Sequence, residues 1–588
     1  MKRRPVSAVL SVFLLFVLSG ERGRAAEKSP AELLPATTAL YVEIAHPDQL
    51  LDTVLQHPLR PKLEQTAVYR FATTSAKYRQ FTAVRQIVET QLDATWQDAF
   101  KSLSHAGIVV GGDPATEGIA VFARTRDSAR RHTILDKFVE LVRLDAAAKK
   151  HEDPIEEHDY RGIPVRRIGD AIFAEFGEYL LITNKKDLGR QIADQYLDGS
   201  DSHLANQPSF QKAVAQRAQT SSAGWAYVDV AALRAAGVAK DLFRAESPDV
   251  AAELILGGIF AHLIKTDLAT ATLQIRDTDV ELELATPHAA DWVPATREFY
   301  WGPNNQGQAP APITGLPNQL AGIGTYRNLS QLWVGVSDLF PTNQQVIDKL
   351  AEADSGLSNL FGGRDFGDEI LGAIQPGIQF VATESEIPSG QPVPTVRLPA
   401  FALIFELKDA ATMRPELRRT FQSLIGFFNI VGSTQGQPQL DMKTYDEPHW
   451  TLVTSRYLPP VDRAKDDPVA IHYNFTPSAA FIENRFILSS SEPLARQLLQ
   501  IAPPGTPTRQ TSPNTWGHVD AHVGREILQA NRSALITQNQ LKKGHTPEEA
   551  RGEVDALLEL LRLLSGADLT LGISDGTMAL KLNIAVAN

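Results

Sequence analysis

The run that most resembles catalytic machinery is Gly572-Ile573-Ser574-Asp575-Gly576. It fits the G-x-S-x-G pattern, which presents a nucleophilic serine on a sharp turn between a strand and a helix. Such a serine attacks an acyl carbon when a neighbouring base takes its proton. The flanks do not build that turn. A strand-like run, Thr577-Met578-Ala579-Leu580-Lys581-Leu582, follows where a helix is needed, and Asp575-Gly576 is a hairpin dipeptide. The matching hairpin of the first half, turned by Asp277-Thr278-Asp279, has no serine. Ser574 is therefore read as a hairpin residue.

Metal ligation is the next chemistry to test. His151-Glu152-Asp153-Pro154-Ile155-Glu156-Glu157-His158-Asp159 is dense in carboxylate and imidazole groups, with a looser echo in Asp441, Asp446, Glu447 and His449. Pro154 breaks any helix that would align these side chains, and the spacing matches no established site. A solvated acidic loop is expected there. Asp365-Phe366-Gly367 matches a kinase tripeptide but lacks the glycine-rich loop and catalytic-loop pattern that give it meaning. Asp198-Gly199-Ser200-Asp201 has too few ligands for a calcium loop. Trp225 with Asp229, and Trp516 with Asp520, read as a core tryptophan at a strand head followed by a helix-capping aspartate. No catalytic, cofactor-binding or metal residue is assigned, and no cofactor is expected.

The elements that carry these runs recur. Asp98, Gly107 and Ile108 return as Asp368, Gly377 and Ile378. Leu188-Gly189-Arg190-Gln191-Ile192 returns as Leu494-Ala495-Arg496-Gln497-Leu498, and Trp225-Ala226-Tyr227-Val228-Asp229 as Trp516-Gly517-His518-Val519-Asp520. Asp267-Leu268 returns as Asp568-Leu569, and Ser247-Pro248 as Thr546-Pro547. A fixed order with drifting offsets is the mark of an internal repeat. Each half opens on a strand-like run, continues through helices, and then reads as a β-meander: Ile163–Ile168, Ala171–Phe176 and Tyr179–Thr183 in the first copy. Tight turns between strand neighbours favour antiparallel pairing. Asp127 or Ser128 should cap a helix that buries Ile134, Phe138, Val142 and Leu141. Asn184 and Asp187, and Ser247-Pro248, sit where further caps belong. Thr546-Pro547-Glu548-Glu549 is a capping box, followed by a Leu557, Leu558, Leu561, Leu564 stripe and Gly566 as the C-terminal stop.

The expected fold is α+β: two tandem homologous domains, each a mainly antiparallel sheet with helices packed on one face. The boundaries are 1–25 for a signal peptide, 26–290 for the first repeat, 291–315 for a Pro/Gly/Asn-rich linker, and 316–588 for the second repeat. Trp292, Phe299, Tyr300 and Trp301 open the linker and are expected to anchor it by packing.

Composition bounds the setting. At 588 residues and 43% apolar content the chain can bury more than one core. Lys2-Arg3-Arg4, the apolar run from Ala8 to Ser19, and the small residues Gly20, Gly23, Ala25 and Ala26 form the layout of a secretory signal peptide. The chain has no cysteine, which excludes both disulfides and a lipid-anchored lipoprotein. Residues 1–25 hold five basic and one acidic residue, so their removal takes the net charge from −12 to −16. That acidity disfavours nucleic acid. No integral membrane span is expected after cleavage, because the most apolar later stretch, Leu254 to Ile264, is too short and meets Lys265.

Leu34-Pro35 with Tyr41-Val42, Tyr160-Arg161-Gly162-Ile163-Pro164-Val165, Tyr179-Leu180-Leu181-Ile182-Thr183-Asn184, Leu398-Pro399-Ala400-Phe401-Ala402 and Phe486-Ile487-Leu488-Ser489-Ser490 form a spaced pattern. It resembles an uncharacterised family of secreted bacterial proteins, classed as a domain of unknown function. The resemblance implies export and a repeated architecture, and it brings no catalytic residues. The expected role is that of a periplasmic or secreted, non-enzymatic protein that binds or scaffolds an unknown protein or envelope partner. The alternatives are a hydrolase with a site between the repeats, and an inhibitor or holder of exported chains.

Overall fold

The structure is a computed structural model. It describes residues 28–587 apart from 126, 218–221, 245, 389–390, 435, 437, 459–468 and 502–512, so the leader lies outside the described residues. The chain divides into two compact units. The first holds residues up to Asp241 together with Thr266–Pro287, and the second holds Leu242–Lys265 and His288–Ala587.

In the first unit the strands are β1 (Leu40–Ile44), β2 (Ile108–Asp113), β3 (Gly118–Arg124), β4 (Ile155–Tyr160), β5 (Ile163–Ile168), β6 (Ala171–Phe176), β7 (Tyr179–Thr183), β8 (Gly224–Asp229), β9 (Leu268–Ile275) and β10 (Asp279–Pro287). All pair antiparallel, in the order β10-β9-β8-β1-β2-β3-β7-β6-β5-β4. The second unit has β11 (Gln319–Tyr326), β12 (Ile374–Thr383), β13 (Ala400–Leu407), β14 (Leu440–Asp446), β15 (Trp450–Tyr457), β16 (Ser478–Ile482), β17 (Arg485–Ser489), β18 (Thr515–Asp520), β19 (Leu564–Ser574) and β20 (Thr577–Val586). Their order is β20-β19-β18-β11-β12-β13-β17-β16-β15-β14, again antiparallel throughout. Counted from the first strand of each unit, the two orders coincide.

The α+β class and antiparallel pairing stand, but helices cover both sheet faces rather than one. Phe122 and Ala120 pack with Leu188 and Ile192 on one side of the first sheet, while Phe173 and Leu180 pack with Leu135 and Phe138 on the other. In the second unit Ala402 and Ile404 meet Leu494 and Leu498, while Phe405 and Leu407 meet Met413 and Leu417. Consecutive residues such as Ala479, Ala480 and Phe481 are all buried, which a sheet with one wet face would not permit.

Local signals explain many element ends. Asp127, Asp229, Asp520 and Thr546 each accept a backbone N–H as N-caps, and Thr546 with Glu549 completes the capping box. Four readings change. Residues 155–160 form strand β4 rather than a loop, because Glu156 and Glu157 face Arg167 and Arg166 across the ladder. Asn184 accepts from Ile119 N–H instead of capping the helix Lys186–Leu197. Asp249 rather than Ser247 accepts the Ala252 N–H at the start of the helix Val250–Lys265. Gly566 lies within β19, and the last helix, Pro547–Leu561, buries Ala550, Val554 and Leu558 while Leu557 is exposed.

The helix Val250–Lys265 packs within the second unit against Tyr300 and Trp301, so the aromatic cluster does anchor its segment. A Cβ on Gly258 would come within 2.2 Å of Tyr300, so this contact requires glycine. Glu253 is fully buried. Arg297 Nε donates to it at 2.7 Å and Ser247 Oγ at 2.6 Å. Arg327 lies 3.4 Å from the Tyr300 ring centroid and donates to Leu254 O and Asn514 Oδ1. Glu253→Ala strands the Arg297 guanidinium in the core and should destabilise the second unit by about 3–5 kcal/mol, read as a lower urea midpoint at unchanged slope.

Candidate functional site

Most runs weighed for chemistry prove to be structural. Ser574 ends β19, and Asp575 and Gly576, at φ 49° and 69°, form the left-handed turn into β20. Asp365 caps the short helix Phe366–Ile370, and Phe366 packs on Trp333. Trp225 and Trp516 are core residues. Among the described residues no group of three or more His, Asp or Glu side chains is placed to hold a metal. His158 lies 3.7 Å from Glu156, which pairs with Arg167, and Glu157 pairs with Arg143. In the second echo, Asp446 binds Arg418 through two bonds at 2.8 and 2.9 Å, whereas Asp441 turns into a cleft.

That cleft, in the second unit, has a volume of about 450 Å³. Its floor is the outer hairpin β14–β15, where Asp441 pairs with Arg456, Lys443 with Thr454 and Tyr445 with Leu452 across the ladder. Period-two alternation puts Asp441, Lys443 and Tyr445 on one face. The wall is the helix Glu492–Gln500, started by Pro493 in its first turn and held to the sheet by Leu494 and Leu498. Its polar side offers Glu492, Arg496, Gln497 and Gln500. Glu386 closes another side and accepts from Gln497 at 3.0 Å. Arg496 donates to Glu492 at 2.8 Å and stacks 4.3 Å from the Tyr445 ring centroid. The Asp441–Arg456 pair is loose at 3.7 Å. Lys443 makes no ion pair and the Tyr445 hydroxyl no hydrogen bond among the described residues. The cleft thus presents three cations, three carboxylates and two amides to solvent. Thr454 Oγ1 lies 3.5 Å from Glu492 Oε2 and accepts from Ser478, and the charged and amide groups around them suit the binding of a polar molecule.

The first unit carries the same constellation at the same place. Arg190 lies 5.9 Å over Tyr160, and Glu156 pairs with Arg167 at 3.4 Å. Here the space is crossed by the chain itself: Arg161 donates to Asp194 at 2.7 Å and to both oxygens of Asp198 at 2.8 Å. These bonds hold the Asp198 carboxyl below the usual aspartate range. Hydrogen bonding to Asp198 and Asp194 holds the Arg161 guanidinium above its own. The arginines had a signal in the sequence, the repeated Leu-x-Arg-Gln run, and Tyr160 stood in the resemblance pattern, but nothing marked Tyr445 or the meeting of either tyrosine with an arginine.

Residues 104–375 match the model of a family described as protein of unknown function (DUF3352). The match runs from the end of the helix Trp96–Ser104 to the start of β12, and it supports an uncharacterised domain family. No curated protein matches the chain. Among solved structures, crystal form I of TP0453 is 8% identical, covers 45% of this chain and 81% of its own, and superposes with a TM-score of 0.24. Crystal form III gives 8%, 45%, 81% and 0.23. Neither fold nor function follows from a likeness of that size.

A depressed carboxylate pKa stabilises the fold above its unfolded value, near pH 4, and loses that contribution as pH falls through the folded value. Arg161→Ala should therefore lower the urea midpoint at neutral pH, and the gap to the parent should close in strong acid.

Proposed function

We propose that the chain is an exported, non-enzymatic binding protein built from two copies of one domain, and that the second copy holds the ligand in its β14–β15 cleft. The carrying observation is the cleft itself. A stack of an arginine on a half-buried tyrosine and a carboxylate–arginine pair recur at one place in both units, while most surrounding residues differ. Exposed polar groups kept on a rigid scaffold are what recognition uses. Copying is supported by the common strand order and by the landmarks in register. Export is supported by the basic, apolar and small-residue layout of residues 1–25. Among the described residues no helix is long and apolar enough to cross a membrane. The mature charge of −16, reached by removing the leader's five basic and one acidic residue from −12, favours ligands other than nucleic acid.

Intact-mass measurement of the protein from the exporting host should show loss of the leader, with cleavage after Gly20 or Ala25. Native mass spectrometry of the same material should find a bound small molecule that is absent from Arg496→Ala. A full-length mass, or equal ligand loading in the variant, counts against this function.

A further inference from the structure

Comparison of the two units points to the chemistry of the ligand. In the first unit the Tyr160 hydroxyl donates to both carboxylate oxygens of Asp194, at 3.0 and 3.1 Å. Asp194 stands one helical turn after Arg190, the residue stacked on that same tyrosine. The second unit has the tyrosine and the arginine, but the residue one turn after Arg496 is Gln500. The residue after Tyr445, Asp446, is committed to Arg418. The second unit therefore keeps the tyrosine donor of Asp194 but not the Arg161 donor, whose place Asp446 takes, and its helix has no carboxylate at position 500. Lys443 stands two residues before Tyr445, where the first unit has His158 before Tyr160, and adds a cation there, while Glu492 stands where the first unit has Lys186 and is paired with Arg496.

We propose that the second unit's cleft binds a small organic carboxylate whose acid group takes the place that Asp194 fills in the first unit. This inference rests on the binding role proposed above. The acid accepts from the Tyr445 hydroxyl and pairs with Lys443, whose ammonium makes the bond charge-assisted, while Arg496, stacked on Tyr445, stays bound to Glu492. Gln497, Asp441 and Glu386 give the remaining wall donors and acceptors, so the body of the ligand carries hydroxyl, amide or amino groups rather than an alkyl chain. A volume of about 450 Å³ suits a molecule of sugar-acid or acyl-amino-acid size. The first unit's copy is occupied by its own side chain, so one ligand binds per chain.

Two readouts on the intact mature protein test this. In the first, calorimetry compares glucuronate and N-acetylalanine with glucose, N-acetylalanine amide and inorganic phosphate. The acids should bind with a stoichiometry of one, weaken by about tenfold in Tyr445→Phe, and fail to bind Gln500→Asp, in which the chain supplies the acid. The second needs no ligand. In protein carrying ¹³C-labelled tyrosine, Gln500→Asp should move one tyrosine's titration to higher pH. Tyr160 shows the basis for this shift, since partial desolvation and the bond to Asp194 raise its phenol pKa. Equal binding of the neutral counterparts or of phosphate would overturn the carboxylate class and leave the binding role standing. No binding of any probe, with no tyrosine shift in Gln500→Asp, would overturn both. Acid binding that survives Gln500→Asp would remove the equivalence with Asp194.

Discussion

A helix with its side chains is about 10–12 Å across, and strands lie about 4.8 Å apart, so one helix covers only part of a wide sheet. Ten strands are found among the described residues of each unit, and this mismatch shapes everything around the cleft. The helix Glu492–Gln500 rests on β13, β17, β16 and β15, and its counterpart Lys186–Leu197 rests on β3 and β7. On that face the outermost strand of each sheet extends past its helix. Side chains there stay wet, so they are polar, and the step from helix to bare strand forms a groove. A site arises where the packing stops.

The opposite face is closed differently. The helix Ala410–Thr434 lies across β14, β15 and β16, binds Asp446 through Arg418, and lets Asn429 bond both backbone groups of Leu440. That bond occupies part of the exposed edge of β14, a position that otherwise invites pairing with another chain. The outer hairpin is thus braced from behind while its front stays open, which suits a binding surface that must hold its shape.

The chain has no cysteine, so its stability rests on burial. Cores on both faces of each sheet supply it, and the cost appears in buried charge. Glu253, Arg297 and Arg327 are nearly solvent-free, and each is matched by partners that satisfy it. Burial lowers the Arg327 pKa, opposed by its contact with Tyr300. These pairs specify how the helix Val250–Lys265 sits; they contribute less to net stability than their distances suggest, because desolvating each charge offsets most of the attraction.

The sequence alone determined what short-range chemistry controls. The meander strands, the hairpin at Asp575-Gly576, and the caps at Asp127, Asp229, Asp520 and Thr546 depend on a few adjacent residues, and their signals are local. Strand β4 escaped because its residues are charged rather than alternating, and only the arginines of β5 make an extended conformation favourable there. Burial of both sheet faces needed the positions of helices distant in the chain. The cleft lay furthest out of reach. Tyr445 and Arg496 meet because a hairpin and a helix share one sheet face, and whether the neighbouring space is open or bridged turns on Arg161 and Asp194 against Asp446 and Gln500. Long-range packing decides such encounters, and no local pattern encodes them.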